Sequence, residues 1–278
     1  MPELLCPVCA QGLTRTEKTY ICPANHSFDR GRGGYVNLLI ARQSGAQHGD
    51  DKEMVRARRE FLERGYYAPL CDAVCAALVD LCAGERETVD LVDAGCGECY
   101  YTAAAAQALE RAGKRPSVVG IDISKDALRF GARRNGAFHL AVASAYHIPA
   151  ADASCDAVLN VFAPFAGEEY CRILRPNGVL LHVSPAREHL WELKQAVYDT
   201  PHPNDAAVPQ QAGLRIESEE EVRYPLHLSC REDILNLFGM TPYAHKTGRE
   251  DAARLNALEQ LDVSAAFVLR VYRKESAV

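Results

Sequence analysis

The sequence has no apolar run approaching the ~20 residues that a membrane-crossing helix needs, so a spanning protein is not expected. Its first residues, MPELLCPVC, lack the basic region and apolar stretch of a secretory leader. There is no internal repeat and no low-complexity segment, which excludes solenoids and compositional tails. Positive charge is scarce. Thirty-one Lys and Arg stand against 37 Asp and Glu, and a net charge of −6 argues against a generally basic nucleic-acid binder. Tryptophan occurs once, at Trp191. A disulfide framework is also missing despite eleven cysteines. The number is odd, and most lie in apolar segments such as LCDAVCAALVDLC, with Cys71, Cys75 and Cys82. A reducing, cytoplasmic setting is therefore expected.

What is present suits a small module followed by a larger domain. The 278 residues are 48% hydrophobic and 24% charged, the balance of a globular protein. Charge is unevenly spread: residues 1–70 carry a net +2 and the remainder a net −8. A cluster at Arg56, Arg58, Arg59 and Arg64 reads either as a solvated helix face or as the footprint of a polyanion.

The densest chemistry comes first. Cys6 and Cys9 form a C-x2-C pair, and Cys22 and His26 follow within a 21-residue window. This spacing is close to known zinc patterns. Thiolates and an imidazole suit zinc, and four protein ligands close its tetrahedron, so a structural rather than catalytic ion is expected. A segment with so little core would draw most of its folding free energy from the metal, about 10 kcal/mol.

The organisation is read as a zinc module over 1–48, a helical linker over 49–84 and a catalytic domain over 85–278. GYVNLLI reads as a short strand, ARQSGAQHGDD as a loop, and DKEMVRARREFLERG and YYAPLCDAVCAALVDLCAG as helices. From residue 88 strands and helices alternate, which predicts a mostly parallel sheet covered on both faces. REHLWELKQAVYD reads as a helix, and EVRYPLHLS and SAAFVLRVY as a late antiparallel pair.

VDLVDAGCGECYYT carries a ligand loop at a strand end, with Asp93, Gly95 and Gly97. A dinucleotide fingerprint would want a third glycine where Tyr100 stands, so phosphate cradling by a nicotinamide enzyme is the weaker reading. Asp122 ends the next strand and can accept both hydrogen bonds of a ribose diol. The loop after the third strand, ASAYHIP, would place Ala143–Ala145, including Ser144, beside an adenine.

These residues resemble the class I S-adenosylmethionine-dependent methyltransferases. That resemblance implies an α/β fold with a seven-stranded, mostly parallel sheet, preceded here by the small zinc module. It also implies cofactor contacts at Tyr101, Ile123 and Asn160. A narrower set of stretches is similar to the bacterial 23S rRNA guanine-N1 methyltransferases: CPVC, YICPANHSFD, ARREFLERGYY, DAGCGECYYT, GIDISKDAL, VFAP, HLWELK and MTPYAHK. The resemblance implies methylation of guanine N1 in a 23S rRNA hairpin, structural zinc, a cytoplasmic homodimer, and phosphate contacts from Arg15, Lys18, Arg30, Arg32, Arg42 and the Arg56–Arg64 helix. Phe162 is expected near the base, and the carbonyl of Ala163 or Pro164 against its Watson–Crick edge. His189 is expected near the site, with Asp29, His147 and His182 as other candidate bases and Trp191 as a candidate stacking residue. The sequence departs from the family at Cys99, where glycine is common, and at Asn160, where a basic residue often stands. A small-molecule methyltransferase and a non-catalytic zinc-containing rRNA-binding protein remain the alternatives.

Overall fold

The computed structural model describes residues 3–39, 50–244 and 247–276. The N-terminal segment folds as a ribbon of three short antiparallel strands, β1 (Thr14–Arg15), β2 (Thr19–Ile21) and β3 (Ser27–Asp29). A fourth strand, β4 (Val36–Asn37), leaves the ribbon. Two helices follow, α1 (Lys52–Glu63) and α2 (Ala68–Leu81). Asp51 caps α1, its carboxylate accepting from the Glu53 and Met54 N–H groups at 2.9 Å each, and the helix stops at Gly65 with φ +80°.

The alternating region then runs as expected: β5 (Thr88–Ala94), α3 (Tyr100–Arg111), β6 (Arg115–Asp122), α4 (Lys125–Arg134), β7 (His139–Val142), β8 (Cys155–Val161), α5 (Gly167–Ile173), β9 (Leu174–Pro185) and α6 (Trp191–Val197). The tail adds β10 (Leu214–Leu228), α7 (Arg231–Gly239), α8 (Arg249–Leu255) and β11 (Leu261–Lys274). The main sheet has the order β10-β11-β9-β8-β5-β6-β7-β4. Neighbours from β9 to β4 pair in parallel, and β11 and β10 close the other edge antiparallel.

The seven expected strands are therefore there, and an eighth joins them from the N-terminal segment, Val36 and Asn37 pairing with Ala141 and Val142 of β7. The boundary expected at 48/49 lies outside the described residues. Residues 49–84, expected as a linker, supply core: Leu70, Val74 and Leu78 of α2 are fully buried with Leu109 of α3 and Leu91 of β5. The next residue of β5, Val92, points to the opposite face, where α5 and the ribbon lie.

Two elements differ from expectation. The helix read over REHLWELKQAVYD shrinks to Trp191–Val197. β11 takes the preceding backbone: Leu190 N–H donates to Ser264 O and Ala186 N–H to Ala266 O, with Leu190 at φ 54°. β10 starts at Leu214 rather than Glu221, because β11 pairs with it from Leu261 to Lys274. Its Pro225 is tolerated because the strand is an edge.

Cys99 has a matching partner. It is fully buried at φ 60°, in the left-handed region that favours glycine. Its thiol fills the space above Gly131 of α4, where an added Cβ would come within 2.6 Å of the sulfur. Gly131→Ala should thus cost about 1–3 kcal/mol by overpacking. In a Cys99→Gly background the same substitution should cost under about 0.5 kcal/mol, its alanine then gaining helix propensity. Urea denaturation of the double-mutant cycle checks this, and simple additivity would refute the pairing.

Candidate cofactor and acceptor site and the zinc centre

The zinc centre is assembled by two tight turns. Ala10 N–H donates to Cys6 O at 2.8 Å and Asn25 N–H to Cys22 O at 2.9 Å, with both turn residues left-handed. The four expected ligand atoms, from Cys6, Cys9, Cys22 and His26, lie within 4.8 Å of one another. Cys6 Sγ and Cys22 Sγ are 3.5 and 3.4 Å from His26 Nδ1, and Cys9 Sγ is 3.6 Å from Cys22 Sγ. Ordinary Zn–S and Zn–N bonds in a tetrahedron place such atoms roughly 3.5–3.8 Å apart, so the set fits zinc with no open position. The His26 N–H donates to Cys22 Sγ at 3.3 Å, a bond that favours the thiolate.

The second site lies at the carboxyl ends of β5, β6, β7 and β8, on both sides of the point where the strand order reverses. The loop after β5 is tied down from below. Gly95 and Cys96 N–H groups both donate to Ile121 O, at 2.8 and 2.9 Å. Gly97 N–H donates to Asp122 Oδ2 at 2.9 Å, and Ser124 N–H donates to Asp122 Oδ1 at 2.7 Å. A Cβ at Gly95 would overlap that of Ala163, so the loops after β5 and β8 touch and exclude any side chain there. Ile123 is half-buried beside Asp122, while Ser144 is buried with its hydroxyl accepting from Tyr146 N–H at 3.2 Å, and Ala145 is half-buried.

Charge is concentrated under this loop. Asp93 is buried and accepts from Thr102 Oγ1 at 2.5 Å. Desolvation pushes its carboxyl up to about 7, against the Thr102 hydrogen bond and with help from the Asp122 charge. Asp122 is also raised by desolvation, opposed by the Ser124 N–H, the Arg58 charge and the Gly97 N–H. Arg58 Nε donates to Glu98 Oε2 at 3.0 Å, and its guanidinium contacts the Asp50 carboxylate and packs over Gly97. Among the described residues, Arg58 Nη2 and the Tyr101 hydroxyl are buried without a hydrogen-bond partner. The orphaned Arg58 donor at Gly97, beside the Asp122 carboxylate, fits a ligand with both an anionic end and a ribose.

The mouth beside the glycine loop is aromatic. Phe162 follows β8 at φ 61° and is 41% exposed, a strained backbone carrying a ring too open to be core. Its ring lies 5.4 Å from Phe267, 6.2 Å from Tyr101 and 6.4 Å from Tyr67. Behind it, Asn160 is fully buried. Its Nδ2 donates to Pro164 O at 3.0 Å and to Tyr170 Oη at 2.6 Å, and its Oδ1 lies 3.2 Å from His182 Nδ1. Tyr170 Oη also donates to Pro164 O at 2.9 Å. The Pro164 carbonyl is thus already doubly occupied, and Asn160 meets the site only through the loop it braces.

His189 joins the aromatic group, 4.5 Å from Phe267, but is buried. Its Nδ1 accepts from Ala266 N–H at 3.2 Å, and its Nε2 is 3.4 Å from Tyr67 Oη. Burial, with the Lys194 charge, pushes its pKa down to about 3, and burial with Arg270 pushes His182 down to about 4. Both are neutral imidazoles at pH 7. Asp29 is exposed on the ribbon, His147 is exposed in the loop after β7, and Trp191 is half-buried at the start of α6.

The expected arginines do not form one basic face. Arg15 donates to the Gly136 and Phe138 carbonyls, and Arg30 to those of Thr16 and Glu17. Arg64 pairs with Glu232 and Asp233. Arg59 lies 4.4 Å over the Phe130 ring. Lys18, Arg32 and Arg56 are exposed, and Arg42 lies outside the described residues. The residues not anticipated were Tyr67, Phe267, Thr102 and the bracing role of Arg58. Each sits in a helix or strand pattern that reads as core or surface.

This sheet order, glycine loop and paired acids define a class I methyltransferase domain that uses S-adenosylmethionine, carried with a zinc ribbon that holds structural zinc. Residues 4–44 match the zinc-ribbon family described as RlmA, N-terminal, and residues 92–182 match the methyltransferase domain family. A Micromonospora griseorubida protein provisionally named as a 23S rRNA (guanine-N(1)-)-methyltransferase is 39% identical over 98% of both chains. The 23S rRNA (guanine(748)-N(1))-methyltransferase of Streptomyces fradiae is 38% identical over 70% of this chain and 67% of its own. The crystal structure of the Bacillus subtilis YcgJ protein shares the fold, with a TM-score of 0.50 at 15% identity over 74% of this chain and all of that one. The chain belongs to the 23S rRNA (guanine-N(1)-)-methyltransferase family.

Asp93 yields a pH test. Its folded pKa is raised above the ordinary carboxylate value, so its stabilising effect is complete below about pH 4 and is lost as pH rises through about 7. Between pH 6 and 8 the wild type should lose about 1 kcal/mol that Asp93→Asn does not lose. Chemical denaturation of both proteins at the two pH values measures it. Parallel curves would show that Asp93 is ionised throughout.

Proposed function

We propose that this chain transfers a methyl group from S-adenosylmethionine to N1 of a guanine in a hairpin loop of 23S rRNA, working as a cytoplasmic homodimer. The observation that carries the reading is Phe162, an exposed left-handed aromatic next to Ala163, which abuts Gly95 of the loop that Asp122 ties down. Full-length similarity to the Micromonospora griseorubida protein supports it. Among the described residues no helix is long and apolar enough to cross a membrane. Homodimer and compartment come from the family resemblance alone.

In this reading the ribbon, the helical segment and the catalytic domain keep the divisions 1–48, 49–84 and 85–278. Asp122 takes the ribose diol, and Ile123, Ser144 and Ala145 border the adenine. Gly95, Gly97 and Tyr101 approach the methionine end, with Asp93 shaping the loop. Bound there, the cofactor supplies an electrophilic methyl carbon. Phe162 stacks on a guanine that has left its helix, at a cost of a few kcal/mol. Holding N1 in line is worth about 7–11 kcal/mol. N1 must also lose its proton. That proton passes to solvent, because the inward nitrogens of His189 and His182 are engaged; Pro164 O is filled, so the Ala163 carbonyl accepts a hydrogen bond from the Watson–Crick edge of the docked base and orients it. Pro164 and His189 act by position, the first fixing the loop and the second packing Phe267. Lys18, Arg32 and Arg56 offer phosphate contacts, which orient the RNA without reading it.

Primer extension across 23S rRNA from cells with and without the gene tests the reaction. A methyl at N1 blocks pairing, so a stop one nucleotide before the target guanine should vanish in the deletion. Identical stops would turn the assignment to a small-molecule acceptor. Phe162→Ala should lower kcat/KM for RNA about 5- to 100-fold, the usual worth of one stacked base, while S-adenosylhomocysteine affinity stays within about twofold. An equal loss of both would place Phe162 in the cofactor pocket instead.

A further inference from the structure

The zinc ribbon does not stand apart from the catalytic domain. Leu4, Cys6, Leu13, Tyr20 and Cys22 are buried in one apolar cluster with Ala143, Ile148 and Ala150 of the loop after β7. Two of these ribbon residues are zinc ligands. The start of the loop is tied to β6, Ala143 N–H donating to Asp122 O at 3.1 Å, and its far half is tied to α5 and to the ribbon. Glu169 of α5 accepts from Ile148 N–H at 2.6 Å, and Arg172 donates to the Ile148 and Ala150 carbonyls at 2.8 and 2.7 Å. From the other side, Leu5 N–H donates to Pro149 O at 2.8 Å. Leu5 immediately precedes Cys6, so its N–H is aimed by the same turn that presents the ligand. Further attachments follow the same edge: Tyr20 Oη lies 3.3 Å from His139 Nδ1, and Leu38 N–H donates to Val142 O at 3.0 Å, one residue before the loop.

We propose that the ribbon is a wall of the cofactor site. Zinc fixes the Cys6 turn, that turn fixes Leu4 and Leu5, and these hold the loop 143–150 in the conformation that receives adenine. The proposal rests on the assignment of residues 143–145 to the adenine side. Leu4 and Leu5 are positioning residues that act through the loop. Because zinc and cofactor then order the same segment, linkage requires each to tighten the other by the same factor.

The test uses the full chain and S-adenosylhomocysteine as probe. Removing zinc by chelation should weaken its binding in calorimetry about 5- to 30-fold, within the usual range of coupling between two sites. Reciprocally, saturating probe should raise zinc affinity against a competing chelator by the same factor. Amide exchange should quicken at 143–150 while β5 and β8 stay protected. If β5 and β8 also open, the zinc-free protein has unfolded and Leu4→Ala decides. That variant keeps all four ligands, should still bind one zinc, and should show the same loss of probe affinity with RNA affinity retained. Probe affinity unchanged within twofold in the zinc-free protein, or in Leu4→Ala if that variant decides, overturns the proposal, as does zinc affinity blind to the probe. Asp122→Ala separates the underlying assignment: if it binds the probe like wild type, the cofactor reading itself fails, whatever zinc does.

Discussion

A parallel sheet is stable only when both of its faces are covered, and in this molecule part of one cover is held by metal ligands. Val119 and Ile121 of β6 and Ala141 of β7 are buried against ribbon residues that include Cys6 and Cys22. The ribbon is too short to own a core. It borrows one from the sheet, and the sheet gains a layer that α5 alone does not supply on that face. β4 extends the exchange by pairing with Ala141 and Val142, which covers half of the edge that β7 would otherwise present.

The other end of the sheet is governed by close approach. Gly95 against Ala163 brings the ends of β5 and β8 into contact, and left-handed residues cluster around them at Cys99, Phe162 and Leu190. Such backbone costs of order 1–3 kcal/mol each and persists only when its surroundings over-determine it. Here the surroundings are visible: Gly131 makes room for Cys99, Val183 O holds the Phe162 N–H, and β11 holds Leu190. Beneath them the acids Asp93 and Asp122 are balanced by Thr102, backbone N–H groups and Arg58 rather than by open solvent.

Internal pairing of this kind recurs across the molecule and consumes positive charge. Arg15, Arg30, Arg58 and Arg64 are spent on carbonyls and carboxylates of the chain itself. With a net charge of −6 the protein cannot rely on a broad electrostatic field to hold RNA. The exposed Phe162 ring and the exposed Lys18 and Arg32 suit the proposed docking of a base better than binding by broad charge attraction.

Much of this was legible in the linear chain. The C-x2-C pair with Cys22 and His26 identified the zinc set, because soft ligands at that spacing have few other uses. Asp93 and Asp122 were legible as strand-end acids, and the structure sets both beside the glycine loop, because parallel strands deliver their last side chains to one edge. Other features depended on distant segments. Asn160, read as a cofactor contact, is turned inward by Tyr170 and His182. His189 is neutralised by burial beside Phe267, 78 positions away in sequence. Arg58, read as a phosphate ligand, became a brace because α1 lies across the glycine loop. Residue type and local spacing determined which groups could bind zinc and cofactor. Only the packing of remote elements decided which were buried, which were already paired, and that the ribbon abuts the loop after β7, because burial and pairing depend on neighbours that the local sequence does not specify.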